Sequence, residues 1–113
     1  MTEVKSISVK ELYALHEKGE KPFVVDCRTL PEVEEVRAGI VSQVMPLQEW
    51  DPESLKAGKD DKVYIICRSG QRSFQAASQC VVEGFTEVFN VEGGTMDWVN
   101  SGLPVSQGDP EES

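Results

Sequence analysis

The sequence predicts a single α/β domain on a largely parallel sheet, and three observations carry that expectation. Strand-like runs at Phe23-Val24-Val25, Val63-Tyr64-Ile65-Ile66 and Glu87-Val88-Phe89-Asn90-Val91 alternate with helical patterns, the order that builds parallel sheets through crossovers. The helical stretches carry their own start and stop signals, from the capping-box form of Ser8-Val9-Lys10-Glu11 to Gly19 and Gly84. A chain of 113 residues suits one compact domain and leaves no room for a second.

In chain order, Ser6-Ile7 is too short to define an element. The helix opened at Ser8 sets Val9, Leu12, Tyr13 and Leu15 near one face and His16 near its end, as a surface imidazole. Phe23-Val24-Val25, entered after Pro22, reads as a buried strand that delivers Asp26-Cys27-Arg28 at its end. Pro31 suits the first turn of a helix whose Glu32, Glu34 and Glu35 complement its positive N-terminus. Val41 to Leu47 is a weaker strand candidate, and Trp50 to Leu55 a helical turn or two with Asp51 and Pro52 near its start. Val63 to Ile66 is the clearest buried strand. Ser73 to Glu83 follows as a helix with Ala76, Ala77, Cys80 and Val81 on its apolar stripe. In Glu87 to Val91, Val88 and Asn90 oppose the other three side chains. Gly93-Gly94 marks a tight turn before a short helix from Thr95 to Asn100, ended by Gly102; the two tryptophans, Trp50 and Trp98, read as packing residues. The domain is expected over residues 1–105, with a disordered, acidic C-terminal tail over 106–113.

A net charge of −9 repels nucleic-acid backbones and anionic lipid, which excludes both as expected partners. No apolar run approaches the roughly 18 residues that span a bilayer, and Met1 to Lys5 lack the apolar core of a secretory signal, so a cytoplasmic, reducing setting is expected. Cys27, Cys67 and Cys80 form no disulfide framework and no zinc-type spacing, and His16 is the only histidine, so no metal or cofactor is expected. Within this acidic chain, residues 62–82 hold no Asp or Glu but contain Lys62, Arg68 and Arg72, a local +3 island suited to an anion.

The segment that carries chemistry is Ile65-Ile66-Cys67-Arg68-Ser69-Gly70-Gln71-Arg72-Ser73. A cysteine follows a buried strand at once, and a small polar loop leads into a helix. Ligands of open α/β sheets bind beyond the carboxyl ends of strands. A helix start offers unpaired N–H groups and about half a positive charge, and Gly70 lets successive N–H groups turn inward as an anion nest. Such surroundings stabilise a thiolate. Cys67 is therefore the candidate nucleophile, with Arg68, Ser69, Gly70, Gln71 and Arg72 as its anion-binding loop. With no histidine in the segment to act as base, backbone dipoles and arginine charge must activate the thiol. Cys80, on a helix stripe, reads as core.

These residues make the chain resemble a single-domain rhodanese, a thiosulfate sulfurtransferase-type protein, over about Ser6 to Val105. The matching pieces are Val25-Asp26-Cys27-Arg28, the six-residue loop from Cys67 to Arg72, and Gly93-Gly94-Thr95-Met96-Asp97-Trp98. Where that family commonly shows a Gly-His-Ile-type segment, this chain has Arg37-Ala38-Gly39-Ile40-Val41. The resemblance implies a mostly parallel five-stranded sheet with helices on both faces. It implies that Cys67 takes the outer sulfur of thiosulfate or a similar small anionic donor as a persulfide. A thiophilic acceptor (cyanide, a thiol or a protein thiol) then removes it, in a monomer or weak dimer. Two other readings stand beside this one. One is a non-catalytic or sulfur-carrier interaction domain of the same fold. The other is a cysteine phosphatase or arsenate reductase, disfavoured because the position six after Cys67 is Ser73 and the arginine stands at 72. In the implied sheet the strand ending at Cys27 lies beside the one ending at Cys67, so Cys27 is either a resolving thiol or a small packing residue.

Overall fold

The computed structural model describes residues 3–110. In chain order they form strand β1 (Lys5–Ser8), helix α1 (Val9–Glu17), β2 (Phe23–Asp26), α2 (Leu30–Glu35), β3 (Arg37–Ala38) and β4 (Gln43–Val44). Two 3-10 turns, Leu47–Glu49 and Pro52–Ser54, lead to β5 (Lys62–Ile66), α3 (Gln71–Val82), β6 (Glu87–Glu92), α4 (Gly94–Asn100) and β7 (Val105–Ser106). Five strands make one parallel sheet in the order β1-β6-β5-β2-β4, so the expected α/β architecture is the observed one.

The period-two alternation of the strands divides the core between the two sheet faces. On one face Val25, Val63, Ile65 and Val88 meet Ala76, Ala77 and Cys80 of α3. On the other, Val24, Tyr64, Ile66 and Val91 meet Val9 and Leu12 of α1 and Trp98 of α4. Trp98 is fully buried, crosses the Tyr13 ring edge-on and donates its indole N–H to the Pro104 carbonyl at 2.6 Å. Central strand β5 is buried from Val63 to Ile66, worth about 1.5–3 kcal/mol for each large aliphatic side chain.

Local signals act where they were read. The Ser8 hydroxyl accepts from the Glu11 N–H at 3.1 Å while the Glu11 carboxylate accepts from the Ser8 N–H at 3.0 Å, which closes the capping box. Ser6 and Ile7 do belong to a strand. Four residues too few to signal themselves are held by their parallel register on β6, Lys5 opposite Phe89 and Ser8 opposite Glu92. The strand sought over Val41 to Leu47 shrinks to Gln43–Val44, an edge that pairs with β2 on one side only.

The chain also makes backbone pairings with the domain at and past Ser106. Strand β7 pairs antiparallel with β3, Ser106 opposite Arg37. The Gly108 N–H donates to the Glu34 carbonyl at 2.7 Å, and Arg37 Nη1 donates to the Gly108 carbonyl at 2.7 Å. Residues 111–113 lie outside the described residues. The segment that departs from the family's Gly-His-Ile pattern is the one this small antiparallel pair covers. Among the described residues no helix is long and apolar enough to cross a membrane.

Candidate active site

Every strand of the sheet points its carboxyl end at the same edge, and β2 and β5 stop there in register, Asp26 opposite Ile66. The Cys27 N–H then donates to the Ile66 carbonyl at 3.0 Å, so the two chains run side by side one residue farther. Cys67 starts the loop at that point and is 1% exposed.

Two helix starts converge on the loop. Gly70 caps α3 with φ +105°, in the left-handed region that favours glycine, and its N–H donates to Cys67 Sγ at 3.0 Å. From the other side, the first turn of α4 takes the loop's carbonyls. The N–H and hydroxyl of Thr95 donate to the Cys67 carbonyl at 2.8 and 3.0 Å, and the Met96 N–H donates to the Arg68 carbonyl at 3.1 Å. A trans peptide points its N–H opposite its C=O. Drawing those two carbonyls toward α4 therefore turns the N–H groups of Arg68 and Ser69 away from it, into the site. Gly94 allows this approach, because a Cβ there would lie 2.5 Å from both carbonyl oxygens. The Gly93-Gly94 segment is thus more than a tight turn.

A buried polar chain supports the sulfur. Asn90 on β6 donates from Nδ2 to the Gly70 carbonyl at 3.2 Å, which directs its Oδ1 at the Ser73 hydroxyl, 2.5 Å away. Ser73 Oγ lies 3.3 Å from Cys67 Sγ. The Cys67 thiol is held well below its ordinary range. The largest cause is the neighbouring Cys27 thiol; burial opposes, and the Ser73 hydroxyl and the N–H groups of Ser73 and Gly70 add to the lowering. Cys27 moves the opposite way, because it donates to Cys67 and is buried beside its charge. The two shifts run in opposite directions, toward a thiolate at Cys67 and a thiol at Cys27.

The arginines divide. Arg72 makes a two-pronged ion pair with Glu32 of α2, Nη1 to Oε1 at 2.8 Å and Nη2 to Oε2 at 2.9 Å, and it pulls the Glu32 carboxyl down to about 2. Lys62 stands at the far end of β5, opposite in strand direction to Cys67. The +3 island read along the chain is therefore smaller in space. Glu32, 40 positions before Arg72, neutralises one charge, and the strand carries another away. Arg68 is exposed and makes no side-chain hydrogen bond or ion pair among the described residues. It lines a hollow of about 390 Å³ with Arg28, Glu32, Glu35, Thr95 and Met96. Arg28 is itself held by Asp26 through three hydrogen bonds of 2.9–3.2 Å.

Of the expected site residues, the fold brings Cys67 and Gly70 into contact and leaves the side chains of Arg68, Ser69 and Gln71 exposed at the mouth. Sequence reasoning missed Ser73, Asn90, Glu32 and Gly94. Asn90 had a signal, since it shares the buried side of its strand with Val88. His16 stacks on Tyr13 and makes no contact with Cys67; its neighbour Leu15 lines a hollow with Phe23 and Lys62, at the strands' other end.

A family model described as "Rhodanese-like domain" matches residues 8–101. A protein named "Sulfurtransferase" from Allochromatium vinosum is 33% identical over 88 residues, covering 76% of this chain and 79% of that protein. One named "Putative sulfur carrier protein YrkF" from Bacillus subtilis is 32% identical over 96 residues, covering 84% of this chain and 51% of its own length, so this chain spans about half of it. Among solved structures, a rhodanese-like domain protein from Staphylococcus aureus superposes with a TM-score of 0.79 at 26% identity, covering 92% of this chain and 100% of that one.

Proposed function

The chain belongs to the rhodanese-like domain family, and on that premise we propose that it is a sulfurtransferase carrying sulfane sulfur as a persulfide on Cys67. The Cys67 thiolate attacks the outer sulfur of thiosulfate. A bond forms between Sγ and that sulfur, the donor's S–S bond breaks, and sulfite leaves with the electron pair. The outer sulfur of the persulfide then sits among the loop N–H groups. A thiophilic acceptor (cyanide in an assay, a low-molecular-weight thiol or a protein thiol otherwise) attacks it and restores the Cys67 thiolate.

The observation that carries this reading is the direction of the donors at Cys67 Sγ. The Gly70 N–H lies 3.0 Å away and the Ser73 hydroxyl 3.3 Å away, and the Cys27 thiol lies in the same buried cluster. Preorganised donors around a thiolate in a water-poor site supply the activation that a histidine base supplies elsewhere. Arg68 adds a positive charge at the mouth, where an anionic donor enters, and Ser69 and Gln71 line the approach. Arg72 is a positioning residue, locking α3 to α2 through Glu32. A five-residue separation between Cys67 and Arg72, with that arginine already engaged, suits a sulfur atom better than a phosphoryl group. The Bacillus relative's name as a sulfur carrier fits the same persulfide with a protein acceptor.

Sulfite and thiocyanate formation from thiosulfate and cyanide tests the proposal, together with intact-protein mass before and after cyanide. A one-sulfur mass gain that cyanide removes supports it. An unchanged mass and no thiocyanate would overturn it.

A further inference from the structure

Cys27 does not itself carry the transferred sulfur, yet the fold holds it beside the nucleophile. It is 1% exposed and carries a free thiol. Its backbone is pinned on both sides: its N–H donates to the Ile66 carbonyl at 3.0 Å, and its carbonyl accepts from the Leu47 N–H at 2.9 Å. The parallel register Val25–Ile65 and Asp26–Ile66 places Cys27 opposite Cys67 one step on. Because faces alternate along a strand, both side chains fall on the α3 face, in one core cluster. Neighbouring strands lie about 4.8 Å apart, and disulfides form across Cα separations of about 4.4–6.8 Å.

We propose that Cys27 is a resolving thiol that attacks Sγ of the Cys67 persulfide, closing a Cys27–Cys67 disulfide and expelling the outer sulfur as hydrosulfide. This rests on the persulfide reading above and adds a sulfide-releasing branch to it. In the step, the Cys27 Sγ–Cys67 Sγ bond forms and the bond from Cys67 Sγ to the outer sulfur breaks. The outer sulfur leaves with the electron pair and the Cys27 proton. It is reduced from the sulfane to the sulfide level, while the two cysteines are oxidised to the disulfide. A dithiol reductant then restores both thiols by entering through the mouth and exchanging at Cys67.

The arrangement favours attack at Sγ rather than at the outer sulfur. Cys27 reaches Sγ from the neighbouring strand, whereas the N–H groups that cradle the outer sulfur belong to the loop and α3. Loading also prepares Cys27. In the resting pair the neighbouring Cys67 holds the proton on Cys27. Once Cys67 is persulfidated the negative charge moves to the outer sulfur, and that hold relaxes. Cys27 becomes a nucleophile only when there is sulfur to release.

The test uses full-length protein loaded with thiosulfate under anaerobic conditions, freed of excess donor and left without added thiol. Sulfide release, intact mass and non-reducing peptide maps are followed together. Wild type is expected to release sulfide in proportion to a new Cys27–Cys67 peptide, at a first-order rate independent of protein concentration. Cys27→Ala and Cys27→Ser are expected to load more slowly, because Cys67 loses the neighbour that most lowers its thiol. They are expected to reach the same one-sulfur mass gain and yield thiocyanate with cyanide, and to lose spontaneous sulfide release. A wild-type persulfide that persists without disulfide, or equal sulfide release from the Cys27 variants, overturns the inference while leaving the persulfide reading intact. Wild type that never gains the sulfur mass and never yields thiocyanate overturns both. The wild-type arm decides the matter even if a variant fails to fold.

Discussion

Cys67 and Cys80 are equally hidden from solvent, at 1% and 0% exposure, and both lie against the same sheet face, yet their thiols are driven in opposite directions. Burial pushes Cys80 up to about 11, with only the Trp50 indole offering a weak opposing contact. Cys67 suffers the same desolvation and is nonetheless lowered, first by the neighbouring Cys27 thiol and then by the Ser73 hydroxyl and the N–H groups of Ser73 and Gly70. Burial alone makes a cysteine inert; burial combined with several directed donors makes a thiolate. The donors exist because the strand ends beside a helix start, whereas Cys80 sits within a helix whose backbone hydrogens are already used.

The comparison breaks most sharply at Cys67 itself. Cys67→Ser should reduce thiocyanate formation to the uncatalysed level while leaving the circular dichroism spectrum and melting curve nearly unchanged. Retained turnover would end the assignment. Gly94→Ala attacks the helix start that turns the loop. A Cβ placed 2.5 Å from the carbonyl oxygens of Cys67 and Arg68 must displace the loop. A destabilisation of about 3 kcal/mol is expected in chemical denaturation, with a marked fall in kcat/KM.

Ser73→Ala sharpens the comparison by removing one donor while Cys67 stays buried. One hydrogen bond to the thiolate is worth about 1–1.5 kcal/mol, so the Cys67 thiol should rise toward its ordinary range. The sign follows directly. Wild-type loading is supported at every pH above the lowered Cys67 value and falls only as the thiolate is protonated in acid. In Ser73→Ala that acid limb should move to higher pH, read from the pH dependence of the sulfur-loading rate. An unmoved limb would mean the Ser73 hydroxyl donates to Asn90 Oδ1 throughout and not to Cys67.

Cys80→Ser is the converse control. It should keep transfer activity and cost about 1–3 kcal/mol of stability, because a buried hydroxyl replaces an apolar thiol. The smallest effect is expected from Glu32→Gln. The Glu32–Arg72 pair is about one-third exposed on each side, so its loss should cost no more than about 1 kcal/mol. Removing a carboxylate beside Arg68 should lower KM for thiosulfate at low ionic strength, with the difference fading as salt is added.

Much of this was legible in the residues themselves. The strand pattern, capping box, helix stops and Cys67-to-Arg72 loop are local features, and each element formed near the place its residues indicated. Cys67 could be singled out because a strand end, a glycine and a helix start are adjacent in the chain. Sequence reasoning could not see partners contributed from a distance. Glu32 cancels Arg72 across 40 positions, Asn90 reaches Gly70 across 20, and Thr95 holds the Cys67 carbonyl across 28. The same blindness hid β1 and β7, short strands held by their neighbours rather than by their own propensity. Composition and local pattern determined that this chain would present a cysteine between a strand end and a helix start. Only the tertiary structure decided which donors gather at its sulfur and that a second thiol shares its buried cluster, because pKa and contact depend on which groups distant in the chain are brought close.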